Sequence, residues 1–114
     1  MNIRICGTGS ALPERKITND DLSQIMDTSD EWISSRTGIK TRHLATEETT
    51  TSLATEAAKK ALADADMKPE EVELIIAATV TPDHLVPTLS CEVQREIGAV
   101  NAVAFDLVQC LRCD

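Results

Sequence analysis

Two side chains of the sequence, Trp32 and Arg36, have the types and the spacing to bind a flat ring. They are four residues apart, so on a helix they share one face. An indole beside a guanidinium can hold a flat heteroaromatic ring between them by stacking and cation–π attraction. The alternative is a partly buried tryptophan beside a solvated arginine, which the same spacing also allows. The spacing alone leaves both interpretations open.

The pair Cys110-x-x-Cys113 has the spacing of a zinc knuckle or a redox motif. A structural zinc site needs four ligands, and the two histidines, His43 and His84, lie far upstream without a carboxylate or cysteine at ligand spacing. We expect each histidine to lie at the surface or in a hydrogen bond. A redox cysteine needs a following helix to lower its pKa, and only Asp114 follows Cys113. The sequence therefore predicts neither a metal site nor a redox site.

The run Gly7-Thr8-Gly9-Ser10 has the beginning of a nucleotide-binding loop. The dinucleotide fingerprint needs a third glycine three positions further on, where this chain has Leu12. We therefore interpret the two glycines as a tight turn that leaves a first strand.

Composition places the chain among ordinary globular α/β proteins. Its 114 residues, 12.4 kDa and 42% hydrophobic content provide one modest core, which must come from aliphatic residues because aromatic residues make up only 2%. The net charge of −8 argues against duplex DNA or an anionic membrane as a partner. The four cysteines are too few for a disulfide framework. With no signal-like or membrane-spanning run, the expected location is the cytoplasm.

Helices near Trp32 must position the candidate ring-binding pair. The segment from Thr18 predicts a helix whose Leu22, Ile25 and Met26 share one face. A second helix, joined to it end to end, is predicted from the capping box formed by Thr28 and Glu31. Gly38 is expected to end it.

The remaining pattern alternates strands with helices. We predict a core strand over 2–7, a polar loop over 46–51, a long helix over 52–65, a one-turn helix at 69–71, a strand over 74–79 covered on both faces, a helix over 87–98 and a strand over 102–105. Such alternation favours a sheet that contains parallel strands.

Residues 27–43, DTSDEWISSRTGIKTRH, closely resemble the long signature near the start of β-ketoacyl-acyl-carrier-protein synthase III. Further matches follow in order at 7–9, 18–19, 75–79 and 104–107, so that the resemblance covers residues 1–108. It implies a thiolase-like α/β fold, of which this chain is most of the first of two similar halves, with a mixed β-sheet covered by helices. We expect one truncated N-terminal domain over 1–108 and a divergent tail over 109–114.

The resemblance also implies an acyltransferase reaction. Family members take an acyl group from coenzyme A onto a cysteine and condense it with malonyl-acyl carrier protein, releasing carbon dioxide, to start fatty-acid synthesis. The implied partners are acyl-CoA, the acyl carrier protein and a second copy in a homodimer, with no nucleic acid and no membrane. No metal or other cofactor is implied, since coenzyme A enters as the substrate's thioester.

The resemblance implies roles for three residues of the signature. Trp32 and Arg36 correspond to residues that flank the adenine of coenzyme A, and Thr28 to a residue that lines the same nucleotide site. The loop around 85–87 resembles a segment that reaches across the dimer interface toward the partner's acyl pocket.

The chain departs from the family at the nucleophile. The family cysteine lies six residues after the phenylalanine of the Phe-Asp motif, and six residues after Phe105 is Leu111. Cys110 and Cys113 are out of register, so we assign no catalytic residue. The family's catalytic histidine and asparagine have no counterpart in this chain. One back-translation of 109–114, read one nucleotide later, restores Ser-Ala-Cys-Gly-Ala, which suggests an out-of-frame tail.

The leading hypothesis is a truncated synthase III that lacks condensing activity. A second hypothesis is a non-catalytic fragment that binds coenzyme A or pairs with an intact homologue. Within the same superfamily, a polyketide starter synthase and a hydroxymethylglutaryl-CoA synthase remain alternatives, although the signature over 27–38 favours the fatty-acid enzyme.

Overall fold

The computed structural model describes residues 2–108, which divide into two compact units. One unit is residues 12–48, and the other combines residues 2–11 with residues 49–108. Each unit has its own two-stranded sheet.

The 12–48 unit contains the segment in which the ring-binding pair is predicted. Its elements in chain order are strand β1 (Lys16–Thr18), helix α1 (Asn19–Ser23), helix α2 (Asp30–Thr37) and strand β2 (Thr41–His43). Strands β1 and β2 are antiparallel, with Ile17 opposite Arg42. Thr18 begins α1 through a capping box with Asp21, because each side chain bonds the other residue's backbone N–H. This confirms the predicted helix start at Thr18.

Two predictions about the first helix are wrong. Helix α1 ends at Ser23, so Ile25 and Met26 lie outside it and are 77% and 53% exposed instead of sharing a helical face with Leu22. The backbone N–H of Ile25 donates to the carbonyl of Leu22, three residues earlier in the chain. Such 3₁₀-type hydrogen bonds tighten the last turn of a helix. Residues 24–29 separate the two helices, so they are not joined end to end.

The start of α2 lies one residue later than the sequence predicts. Ser29 is the N-cap, and its hydroxyl accepts a hydrogen bond from the N–H of Trp32. The predicted capping box of Thr28 and Glu31 is therefore absent. Gly38 ends the helix as predicted, with a left-handed φ of 70°.

The second unit contains the longer elements. They are helix α3 (Thr50–Asp64), a 3₁₀ turn (Pro69–Glu71), strand β3 (Leu74–Ala78), helix α4 (Leu89–Ile97) and strand β4 (Val103–Leu107). Strands β3 and β4 run parallel, with Leu74 opposite Val103, which confirms the predicted parallel pair. The predicted loop over 46–51 is wrong in its last two residues, since α3 begins at Thr50 through a capping box of Thr49 and Ser52.

One face of the β3–β4 sheet is open, which contradicts the predicted burial on both faces. Burial alternates along both strands, and helix α4 packs against both of them. The side chains of the other face remain between 46% and 66% exposed: Leu74, Ile76, Val103, Phe105 and Leu107. Within the described residues, nothing covers these apolar side chains.

The predicted strand over 2–7 and the glycine turn after it are also wrong. Residues 2–7 pair with no strand in the described part of the chain, and Ile3 and Ile5 are 84% and 82% exposed. A Cβ on Gly7 would lie 2.6 Å from the carbonyl oxygen of Ala61, and one on Gly9 would overlap the backbone of α3. The glycines therefore serve the close approach of this segment to α3 and do not form a tight turn.

Two aspartates from other elements fix the starts of the long helices. Asp83 accepts hydrogen bonds from the first two N–H groups of α3, those of Thr50 and Thr51, at 3.0 and 2.6 Å. Asp106 of β4 does the same for Leu89 and Ser90 of α4, at 3.0 and 2.8 Å. A carboxylate at a helix N-terminus satisfies free N–H groups and interacts favourably with the helix dipole. Among residues 2–108, no helix is long and apolar enough to cross a membrane.

Candidate functional site

Helix α2 presents Trp32 and Arg36 together, as the four-residue spacing predicts. The guanidinium carbon of Arg36 lies 4.4 Å from the centre of the indole ring, which is cation–π contact. The indole is 54% exposed even with this contact. Among residues 2–108 no acceptor receives a hydrogen bond from Arg36, so within this part of the chain its N–H donors are available to a ligand.

The direct contact restricts how a ring can bind here. A flat ring held between the two side chains needs about 7 Å between their planes, twice an ordinary van der Waals separation. At 4.4 Å, Arg36 already occupies one face of the indole. A ligand ring must therefore either displace Arg36 or stack on the opposite indole face. The assignment of Trp32 and Arg36 to a nucleotide site stays a prediction in both cases.

Thr28 lies immediately before the N-cap of α2 and has an unused hydroxyl. Its Oγ1 atom is buried and has no hydrogen-bond partner among the described residues. Buried hydroxyls are nearly always paired, with protein, water or ligand. Because this atom has no contact with solvent, a ligand reaches it only when neighbouring side chains move, and the nucleotide-binding role of Thr28 stays a prediction.

Asn19 organises the surroundings of α2, and sequence reasoning missed it. Its side chain is 1% exposed, and the amide nitrogen donates to Asp30 Oδ1 at 2.7 Å and to the Ile39 carbonyl at 2.8 Å. Its amide oxygen accepts from Arg42 at 3.1 Å. The hydrogen bond from Asn19 is the main cause that lowers the pKa of Asp30, helped by bonds from Ser34 and Lys40. Asp30 therefore remains an ionised acceptor.

The remaining candidates have structural surroundings. His43 Nδ1 lies 2.6 Å from the carbonyl oxygen of Pro13, and His84 Nδ1 lies 3.4 Å from Glu92 Oε1, so the expectation of surface or hydrogen-bonded histidines is confirmed. Cys6 and Cys91 are free and exposed thiols. Over residues 2–108 no cluster of potential metal ligands occurs. The positions discussed for the nucleophile, Cys110, Leu111 and Cys113, lie outside the described residues, as does the rest of the predicted tail.

The loop before α4 exposes an apolar tip. Leu85 and Val86 are 85% and 86% exposed. Two residues before the tip, Asp83 is hydrogen-bonded to the start of α3, and two residues after it Thr88 is the N-cap of α4. Hydrogen bonds from the Thr51 and Thr50 N–H groups lower the pKa of Asp83 to about 2, so its carboxylate is ionised at neutral pH.

Comparisons with known proteins agree on one family, although no family model matches the chain. A β-ketoacyl-[acyl-carrier-protein] synthase III of Clostridium acetobutylicum is 54% identical over 106 residues, covering 93% of this chain and 33% of that protein. The same enzyme of Caldanaerobacter subterraneus is 57% identical over 104 residues, covering 90% and 31%.

Solved structures give the same result. The 3-oxoacyl-[acyl-carrier-protein] synthase III of Aquifex aeolicus superposes with a TM-score of 0.89 at 53% identity, over 91% of this chain and 34% of that one. The priming β-ketosynthase of the R1128 polyketide pathway superposes at 0.88 with 37% identity, over 91% and 31%.

The parallel β3–α4–β4 unit and its structural neighbours define a thiolase-like α/β protein, of which the described residues form part of the N-terminal portion. The signature over 27–43 lies on the unit that presents Trp32 and Arg36. The chain matches the N-terminal portion of β-ketoacyl-acyl-carrier-protein synthase III and spans about a third of the length of the relatives it matches.

Proposed function

We propose that this chain supplies the coenzyme A-recognising part of a β-ketoacyl-acyl-carrier-protein synthase III. The observation that carries the proposal is the exposed Trp32–Arg36 pair on α2, with the unpaired Thr28 hydroxyl at the start of the same helix. This surface offers an aromatic face and a positive charge, which match the adenine and phosphate of coenzyme A. The buried Thr28 hydroxyl adds a hydrogen-bonding atom that the ligand reaches once neighbouring side chains move.

The three side chains have separable roles in this proposal. One face of Trp32 stacks on the adenine ring. Either the ring displaces Arg36, which then covers the other side of the ring, or the ring stacks on the open face while Arg36 stays on the indole and directs its N–H donors to a phosphate. In a chain of net charge −8, a local cation is needed to attract an anionic ligand. The Thr28 hydroxyl bonds a polar atom of the nucleotide.

The proposed reaction of the whole enzyme is the one that its family name describes. An acyl group passes from coenzyme A to a cysteine and is then condensed with malonyl-acyl carrier protein. Acyl-CoA and the acyl carrier protein are the proposed partners, in the cytoplasm, with a second copy as the dimer partner and the exposed 85–86 tip at that interface. The proposed chemistry needs no cofactor beyond the thioester.

We further propose that this chain does not catalyse condensation by itself. Leu111, and not cysteine, lies six residues after Phe105. Without a thiolate at that position no thioester can form there. The experiment is an acetyl-CoA and malonyl-acyl carrier protein condensation assay on the purified chain. We expect no turnover, and turnover that depends on Cys110 would contradict the proposal.

A polyketide starter synthase is the second candidate, because the R1128 priming β-ketosynthase superposes at a TM-score of 0.88. Its 37% identity, against 53% for the Aquifex aeolicus enzyme, favours the fatty-acid enzyme. Both candidates start from an acyl-CoA, so the proposed role of the Trp32 surface is the same for both. A non-catalytic role, in coenzyme A binding or in pairing with an intact homologue, agrees with the proposed inactivity. The hydroxymethylglutaryl-CoA synthase alternative has no support among the neighbours described above.

Intrinsic fluorescence tests the binding proposal directly. Trp32 is the only tryptophan and the chain has no tyrosine, so all emission excited at the indole band comes from the site. We expect coenzyme A to quench it saturably, and Arg36→Ala to weaken binding by about tenfold, the loss of one charge-assisted contact. Arg15→Ala, which removes another exposed arginine of the same unit, is the matched control. No saturable quenching of the parent chain would contradict the proposal.

Uncharged adenosine distinguishes the two roles of Arg36. If Arg36 stacks on the ring, Arg36→Ala weakens adenosine and coenzyme A alike. If Arg36 contacts a phosphate, the variant weakens coenzyme A and leaves adenosine unchanged.

A further inference from the structure

Asn19 has more hydrogen bonds than the start of a five-residue helix requires. Its side chain is 1% exposed, and burying an amide is unfavourable unless its polar atoms are paired. Both amide hydrogens are used, toward Asp30 Oδ1 at 2.7 Å and the Ile39 carbonyl at 2.8 Å, and the amide oxygen accepts from Arg42 Nη2 at 3.1 Å. One side chain thus joins three separate segments.

The two groups that receive these hydrogens flank helix α2. Asp30 is the first residue of α2, and Ile39 follows its C-cap, Gly38. Trp32 and Arg36 lie between these two anchors. Since Asn19 holds both ends, α2 cannot turn about its axis or slide along it without breaking one of the short bonds.

The third bond connects this arrangement to the strands. Arg42 lies on β2, opposite Ile17 of β1, and Asn19 directly follows β1 in the chain. The amide of Asn19 therefore fixes the orientation of α2 relative to the antiparallel strands β1 and β2. Asp30 is held from its other oxygen as well, by Lys40 at 3.3 Å.

We propose that Asn19 is a positioning residue for coenzyme A recognition, which sets the orientation of the Trp32–Arg36 face through its bonds to both ends of α2. The proposal rests on the proposed function of that face. A stacked ring and a hydrogen bond from Thr28 must be satisfied together, and such sites lose affinity when their groups move by about 0.5 Å. Asn19 does not touch the ligand in this arrangement.

The variant Asn19→Asp tests the role with almost no change of volume. It keeps an acceptor for Arg42 but removes both donated bonds, and it places a carboxylate beside that of Asp30. Ile17→Val, at an apolar position of β1 that is 8% exposed, is the control for lost stability alone, with Ile17→Ala as a second step. Unfolding by urea gives the stability of each variant, and quenching of Trp32 gives its affinity for coenzyme A.

At matched stability, we expect Asn19→Asp to weaken coenzyme A binding by about tenfold, as misplaced binding groups do. The Ile17 variants should change it by less than about twofold at the same loss of stability. The double variant Asn19→Asp with Asp30→Asn returns a donor to the pair and should recover part of the affinity. Equal losses in the Asn19 and Ile17 variants would overturn the proposal.

A ligand-free signal separates this proposal from the proposed function. Because Trp32 is the only tryptophan and tyrosine is absent, the near-ultraviolet circular dichroism band of the indole reports on the order of α2 alone. We expect Asn19→Asp to reduce this band and the Ile17 variants to retain it. If the parent chain does not bind coenzyme A, the proposed function fails while the band still decides the role of Asn19. An unchanged band in Asn19→Asp would overturn it.

Discussion

The two units of the chain differ in which kinds of side chain they bury and expose. The 12–48 unit buries the amide of Asn19, with both hydrogens and the oxygen in hydrogen bonds, and exposes the indole of Trp32. The other unit buries small and aliphatic residues where its helices meet and exposes five large apolar side chains on one sheet face. The first unit pairs the Asn19 amide but leaves Thr28 Oγ1 and Arg42 Nη1 buried without a partner among the described residues, whereas the second has a large apolar surface in water.

The difference between the two units shows two ways in which a sequence specifies structure. A buried polar network is directional, because each bond requires one partner at one angle, and it therefore sets the orientation of a helix. Apolar burial is non-directional and depends on the area removed from water. We expect single hydrogen bonds to control the geometry of the 12–48 unit. We expect the association of the other unit to depend on how much of its sheet face is covered.

The largest expected effect concerns the open sheet face. A contiguous apolar patch on a sheet favours association. Replacing Ile76 and Phe105 by threonine keeps β propensity and makes the face more polar. We expect the binding of a hydrophobic dye and the light scattering of the purified chain to fall several-fold. The same double replacement at Ile25 and Met26, exposed residues of the other unit, should change little; an equal fall would contradict the difference between the units.

The second-largest effect is expected where residues 7–10 approach helix α3. A Cβ at Gly9 overlaps backbone atoms of Ala57 and Ala61, which cannot move as a side chain can. We expect Gly9→Ala to lower the free energy of unfolding by about 2 kcal/mol, the usual cost of overpacking. Ser10→Ala, at the exposed neighbouring position, is the control. Urea unfolding measures both, and a Gly9→Ala chain as stable as the parent would show that this contact is absent in solution.

The smallest effect is the pH dependence that comes from Asp83. Its pKa in the folded chain is lowered to about 2 from the ordinary value of 3.8 by the hydrogen bonds at the start of α3. Because the folded value lies below the ordinary one, the stabilisation is present above about pH 4 and is lost as the pH falls toward 2. We expect Asp83→Asn to lower the urea midpoint at pH 7 and to match the parent near pH 2.

The test of Asp83 has its own control in the 12–48 unit. Asp20→Asn removes an exposed carboxylate in the first turn of α1 that makes no side-chain hydrogen bond among the described residues. It should change the difference between pH 7 and pH 2 much less than Asp83→Asn does. A gap between Asp83→Asn and the parent that persists at pH 2 would show that the carboxylate charge is not what stabilises α3.

Elements with a long periodic pattern could be predicted from the sequence. The alanine-rich stripe of α3 and the apolar runs of β3 and β4 are local features, and the structure confirms these elements to within two residues. The three-residue strands β1 and β2 carry no period long enough to detect. Alternation alone predicted a strand around Ile3 and Ile5, which failed because a strand also requires a paired neighbour.

One part of the candidate site could likewise be predicted from the sequence, and another part could not. Trp32 and Arg36 could be predicted because both lie on one helix, where spacing fixes proximity. The role of Asn19 depends on Asp30, Ile39 and Arg42, which are 11 to 23 residues away along the chain. Its sequence position favours a helix cap, and no local pattern indicates the partners of a buried amide. The direct contact between the indole and the guanidinium, which leaves no gap for a ring, could also be learned only from the structure.

The most direct test of the account compares the two halves of coenzyme A as ligands of the purified chain. The central claim is that the surface of Trp32, Arg36 and Thr28 recognises the nucleotide half. Isothermal calorimetry should show that adenosine 3′,5′-bisphosphate binds and displaces coenzyme A, whereas pantetheine, which lacks the nucleotide, does not. Binding of pantetheine without binding of the bisphosphate would contradict the claim.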